Sequence, residues 1–217
     1  MGQFLIVSKV DRLADYCQIA QSYQVGFEYN DFYDPAVLSD TERLDGIWQQ
    51  YGACGRPAVC TMHGAFLDVT VFSADPKIRE VSELRMLQSM QQAERGRVAG
   101  VVFHTNINPF LNDPSYIQNA VSMTGDFVEK LLLQFPHLSI YMENMFDDSP
   151  DMLRMLSERL YKYPNYGVCL DYAHASLSQT KIDTWVEMLA PYVRHVHIND
   201  HDGKHDLHLA VGSGVTD

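Results

Sequence analysis

Short apolar runs alternate with longer amphipathic ones along almost the whole of the 217-residue chain. Seven runs read as strands: FLIVS (4–8), GFEYN (26–30), AVCTMHG (58–64), GVVFHTN (100–106), LSIYMEN (138–144), YGVCLDYAH (166–174) and VRHVHIND (193–200). Between them, apolar residues recur at the three- and four-residue spacing that a helix gathers into one stripe. In DSPDMLRMLSERLY, Ser149 is the expected N-cap and Pro150 the first helical residue. Met152, Leu153, Leu156 and Leu160 then share a face. In DPSYIQNAVSMTGDFVEKLLLQF, Asp113-Pro114 opens a helix whose stripe runs through Ile117, Val121, Val128, Leu131 and Leu132.

Strands and helices that alternate this regularly, with no linker, low-complexity tract or strong repeat, predict one α/β domain over residues 1–217. The expected architecture is a TIM-like (β/α)8 barrel. A doubly wound open sheet is the alternative, disfavoured because no GxGxxG or GxxxxGK[ST] follows the first strand.

The polar residues on these strands gather at one end. His63, His104, Glu143, Asp171 and His197 close five consecutive strands, on the edge where a parallel barrel carries its active site. Strand alternation places Glu143 on a face with Tyr141 and Ser139, and His197 with His195 and Asn199. His174 follows Asp171 by three residues, and the tail adds an Asp206-x-His208 pair. Imidazoles and carboxylates converging on one rim suit Zn²⁺, Mn²⁺ or Fe²⁺. Each residue also has an ordinary reading: a strand histidine is more often a satisfied core or surface residue, Asp171 can cap the next turn, and Glu143 can pair with a cation. No basic residue adjoins these strand ends, however, and acidic residues gathered there without a cation would suffer large burial and repulsion costs. A metal site is therefore favoured.

Charge narrows the partners. Sixteen Lys and Arg against 28 Asp and Glu give a net charge of −12, which disfavours nucleic acid. The segment HVHINDHDGKHDLHLAVGSGVTD holds five of the nine histidines and a single cation, Lys204. The four cysteines, Cys17, Cys54, Cys60 and Cys169, lack CxxC spacing and are expected to be reduced thiols of a cytoplasmic protein. The N-terminal apolar run is too short for a secretion signal, and no run is long enough to cross a membrane.

In chain order, MHG, FHTN, MEN, LDYAH, HIND and DLHLAVGSG resemble the metal motifs of the xylose-isomerase-like TIM barrel superfamily. That superfamily contains sugar-phosphate isomerases and epimerases and endonuclease IV, and the resemblance extends over residues 4–217. It implies one to three divalent ions (Zn, Mn, Mg or Fe) and three ligand sets. These are His63, His104 and Glu143; Glu143, Asp171 and His197, with Glu143 bridging; and His174, Asp206 and His208. In the sugar epimerases it implies one metal at Glu143, Asp171 and His197, acid/base chemistry at Glu143, and substrate contact at His174. Glu28, Asn106 and Asn199 are further substrate-binding candidates, although Glu28 also reads as a solvated turn residue. Phe32, Tyr33, Phe66 and Phe110 would floor a sugar pocket or pack loops. The superfamily pattern continues into an eighth strand ending in a glutamate, whereas this chain ends at Asp217. The expectation is a chain shortened relative to the superfamily, the alternative being a partner chain that fills the gap.

The function these readings imply is a metal-dependent sugar or sugar-phosphate isomerase or epimerase. It would act by proton transfer through a metal-stabilised enediolate on a small-molecule substrate, away from membranes. The alternatives are an endonuclease IV-like multimetal phosphodiesterase, which the acidity opposes, and a non-catalytic metal- or carbohydrate-binding barrel. A homo-oligomer is left open.

Overall fold

A computed structural model describes residues 3–55, 57–111 and 113–216. The strands are β1 (Leu5–Ser8), β2 (Gly26–Tyr29), β3 (Cys60–His63), β4 (Gly100–His104), β5 (Ser139–Glu143), β6 (Tyr166–Asp171) and β7 (Val193–His197). The helices are α1 (Leu13–Tyr23), α2 (Pro35–Leu38), α3 (Thr41–Ala53), α4 (Pro76–Gly96), α5 (Pro114–Gln134), α6 (Asp151–Leu160), α7 (Tyr172–Leu177) and α8 (Ile182–Leu189). All strands are parallel and lie in chain order, forming a curled seven-stranded half-barrel, as the alternating pattern predicts.

The register explains how one sequence serves two environments. Phe27, Tyr29, Met62, Val101, Phe103, Ile140, Met142, Val168 and Leu170 alternate with the inward residues and join the main core with Tyr51, Met90, Leu131, Leu156 and Trp185 of the helices. The intervening positions form stacked inner layers. His104 is level with Glu143, Glu143 with Cys169, and Asp171 with His197. Three helices begin on Asp-Pro, with Asp34, Asp75 and Asp113 each accepting a backbone N–H of the first turn.

Three expectations are corrected. The strand proposed for 166–174 ends at Asp171, because its carboxylate accepts the His174 N–H at 2.9 Å and starts α7; His174 therefore lies on a helix. The sixth helix starts one residue later than expected, with Pro150 at the N-cap position and Ser149 Oγ bonded to Asp151. Cys17 and Cys54 are not free thiols. They form a disulfide joining α1 to the end of α3, across a Cα separation of 6.0 Å that suits the bond, while Cys60 and Cys169 are buried and free. No helix among the described residues is long and apolar enough to cross a membrane.

Candidate metal centre

Among the described residues four groups of donor atoms lie close enough to hold an ion; three correspond to the ligand sets expected above, and the fourth is Cys169, His195 and His197. In the first, His63 Nε2 lies 3.0 Å from His104 Nε2, and Glu143 Oε2 lies 3.5 Å and 2.9 Å from the two imidazoles. His63 Nδ1 sits 3.0 Å from the Gly64 carbonyl, which fixes the ring proton there and leaves the Nε2 lone pair facing inward. Glu143 Oε2 is buried without a hydrogen bond. Ligands about 2.0–2.1 Å from a tetrahedral zinc stand roughly 3.3 Å apart, so this spacing and donor chemistry fit a divalent ion. Burial pushes His104 down to about 4, despite the opposing pull of Glu143, and so keeps it in the neutral form a metal needs.

The second cluster shares Glu143. Its Oε1 lies 2.7 Å from His197 Nδ1, which is 3.9 Å from Asp171 Oδ2. Burial opposes ionisation of Glu143, yet attraction to His197 and His104 holds its carboxyl well below the ordinary range. Asp171, also fully buried, is raised by that burial. Asn144, which strand periodicity does not single out, fixes this candidate ligand. Its Oδ1 accepts the Asp171 N–H at 2.9 Å and its Nδ2 donates to the Asp171 carbonyl at 3.0 Å.

In the third cluster, Asp206 Oδ2 lies 3.1 Å from both His174 Nε2 and His208 Nε2. His174 Nδ1 donates to the Asn144 carbonyl at 2.8 Å, again leaving Nε2 for a ligand. Burial opposes protonation of His174, but Asp206 and its acidic neighbours raise it to about 9, so without a metal the ring is cationic at neutral pH and an ion bound there would displace the Nε2 proton. His208 is held at φ 48°, a left-handed backbone conformation that a histidine rarely adopts. The loop returns through Asp200, whose carboxylate accepts the N–H groups of His201, Gly212, Gly214 and Thr216.

The remaining expected site residues fall in different places. Asn199 donates to Asp171 Oδ2 at 3.0 Å. Asn106 spends its amide on the Phe66 and Val69 carbonyls, so it shapes the loop after β3. Glu28 is buried and faces His195 and His197, which removes the solvated-turn reading. Phe32 is a core residue stacked on Trp48, and Phe110 is 91% exposed. Tyr33 packs on Phe66, which in turn touches the His63 and His104 rings. Tyr33 also lines a cleft of about 450 Å³ with Lys9, Asp31 and Arg43. Asp147 is a further residue that periodicity did not flag. It is buried behind the centre and accepts from Thr105 Oγ1 at 2.5 Å and from the Met145 N–H at 3.0 Å.

Comparison with known proteins gives the same architecture. The zinc-soaked TTHB071 protein from Thermus thermophilus aligns with a TM-score of 0.79 at 22% identity, over 98% of this chain and 83% of that one. A D-tagatose 3-epimerase-like protein aligns at 0.77 and 19% identity, over 99% and 82%. Endonuclease IV from Thermus thermophilus aligns at 0.61 and 16% identity, over 98% and 82%. No curated protein matches by sequence. Residues 16–217 match the xylose isomerase-like TIM barrel family, and the chain belongs to that family.

Proposed function

We propose that the protein is a divalent-metal-dependent isomerase or epimerase of a small sugar or sugar phosphate. Glu143, Asp171 and His197 would hold the working ion, with His63 and His104 completing a neighbouring position on the other side of Glu143. The ion, when bound, polarises a carbonyl and an adjacent hydroxyl and so acidifies the intervening C–H. Glu143 is the proton carrier: it is ionised at neutral pH and stands at the junction of the two donor sets. His174, anchored through Nδ1, turns Nε2 toward the rim, where it orients a hydroxyl. Tyr33 and Phe66 supply the apolar wall on which a sugar ring rests.

The observation that carries this reading over nucleic-acid chemistry is where the cations are. Among the described residues, every Lys or Arg ion pair lies on the helices or the turns that close them: Arg12–Asp15, Arg95–Asp45, Arg154 with Asp151 and Glu158, Arg159 with Asp126 and Glu129, and Lys162–Glu129. None of them reaches Glu143, Asp171 or Asp206. A duplex is gripped through its phosphates, and around Glu143, Asp171 and Asp206 it would meet carboxylates, while Lys9 and Arg43 lie to one side in the cleft beside Tyr33.

One feature favours the second reading, an endonuclease IV-like hydrolase. The third donor set, His174, Asp206 and His208, is more than a one-metal epimerase requires. The two are separated by offering metal-loaded protein ketoses and sugar phosphates in D2O and an abasic-site duplex in parallel. The proposal expects deuterium incorporation next to the carbonyl, abolished in Glu143→Gln. Duplex cleavage without any exchange would reject it.

A further inference from the structure

We propose that Glu28 is a positioning residue that presents His197 Nδ1 to the metal. The inference rests on the metal-site reading above and concerns a residue outside all three ligand sets. Glu28 sits in the middle of β2 on the inner face, level with Thr61 of β3, and is 2% exposed. Its Oε2 accepts from Thr61 Oγ1 at 2.8 Å and lies 2.9 Å from His195 Nε2. His195 is stacked on Tyr141, with ring centroids 5.2 Å apart, which holds that side of the carboxylate in place. The other oxygen, Oε1, lies 2.9 Å from His197 Nε2 at ion-pair distance; both atoms are buried and neither has a hydrogen bond aligned on it, so each is the nearest partner open to the other.

A carboxylate this deeply buried needs a cation or strong donors, and among the described residues no Lys or Arg ion-pairs with it. Its ionic partners among those residues are the two imidazoles of β7. The His197 ring thus stands between two carboxylates, with Nδ1 2.7 Å from Glu143 and Nε2 2.9 Å from Glu28. A neutral imidazole carries one proton. If Nδ1 gives its lone pair to a metal, that proton sits on Nε2, and Glu28 is the acceptor within reach. A carboxylate behind a ligating histidine fixes the ring's tautomer and angle and raises its basicity, and loss of such a partner typically weakens metal binding 10–100-fold.

Glu28→Gln tests this with little change in shape. The amide has one acceptor oxygen where the carboxylate has two. If its NH2 faces His197, Nε2 must supply the lone pair and the proton moves to Nδ1, against the metal. The readouts are zinc affinity by chelator competition, the histidine side-chain 15N shifts of zinc-loaded protein, and melting of the metal-free protein. The expected result is a wild-type His197 with zinc on Nδ1 and the proton on Nε2. In Glu28→Gln this pattern is lost and zinc binds 10–100-fold more weakly at the His197 set, with metal-free melting little changed. Wild-type affinity and an unchanged His197 pattern in the variant would overturn the role of Glu28 and leave the metal site standing. A wild-type His197 with no zinc on either nitrogen would overturn both. Zinc on Nε2, removed by Cys169→Ser, would overturn the positioning role in favour of an ion held by Cys169, His195 and His197. The wild-type shifts alone remain decisive if the variant does not fold.

Discussion

Asn144→Ala should cost both stability and metal affinity. The Asn144 side chain makes two hydrogen bonds, to the N–H and to the carbonyl of Asp171, and both residues are almost completely buried. Alanine leaves a donor and an acceptor at the end of β6 with neither partner nor water. Each orphaned buried group costs about 1–3 kcal/mol, for a total of about 2–6 kcal/mol. For a domain of this size, about 2–4 °C of melting temperature is lost per kcal/mol, so a fall of roughly 4–24 °C is expected in metal-free protein. Because the same backbone carries the Asp171 carboxylate, zinc should also bind more weakly at the Glu143, Asp171 and His197 set. Asn144→Asp is informative beside it: it keeps the acceptor for the Asp171 N–H but sets a carboxylate oxygen against the Asp171 carbonyl, and it should be no more stable than alanine. Differential scanning calorimetry and chelator competition are the assays. A melting change within about 1 °C and unchanged zinc affinity would refute the claim that this clamp builds the site.

Other outcomes follow from the same geometry. Asp147 is raised by burial from 3.8 to about 6, so its favourable contribution is complete below pH 4 and is lost as pH rises through 6. Asp147→Asn should therefore melt higher than wild type at pH 7–8, by about 3 kcal/mol of stability, and lose that advantage near pH 4; equal melting at all pH values would count against it. At Gly214, a methyl group would collide with the His201 carbonyl and the Asp200 carboxylate. Gly214→Ala should thus release the closing loop and lower the metal stoichiometry by the share bound at His174, Asp206 and His208; full stoichiometry would show that the loop does not hold that set. His63→Ala should reduce an epimerase only moderately but a multimetal hydrolase by orders of magnitude, so steady-state kinetics on whichever substrate turns over separates the readings.

Much of this molecule is legible in its sequence because barrel strands impose a period of two. His104 and Glu143 must share a face with the layer beneath them, so each candidate pair at a strand end can be placed from the pattern alone. Legibility fails where a side chain's partner lies in a distant segment. Glu28 and His195 are 167 positions apart, and no local pattern reveals that they meet. Asn106 and Asn199 stand at strand ends like substrate-binding residues, yet both donate to protein acceptors, because loops on that edge must satisfy their own carbonyls and carboxylates. YGVCLDYAH reads as one apolar run that would carry His174 on a strand, while the capping carboxylate of Asp171 breaks it. Cys17 and Cys54 read as reduced thiols because their disulfide depends on the separation of two helices, which spacing along the chain does not encode.

The measurement that bears most directly on the account is elemental analysis of untagged wild-type protein beside Glu143→Gln, each purified without added metal. Glu143 belongs to two of the four donor groups, so wild type should carry at least one equivalent of a divalent transition metal and the variant, still folded, should lose most of it. A wild-type protein without metal that also fails to retain zinc after loading and dialysis would contradict the central claim.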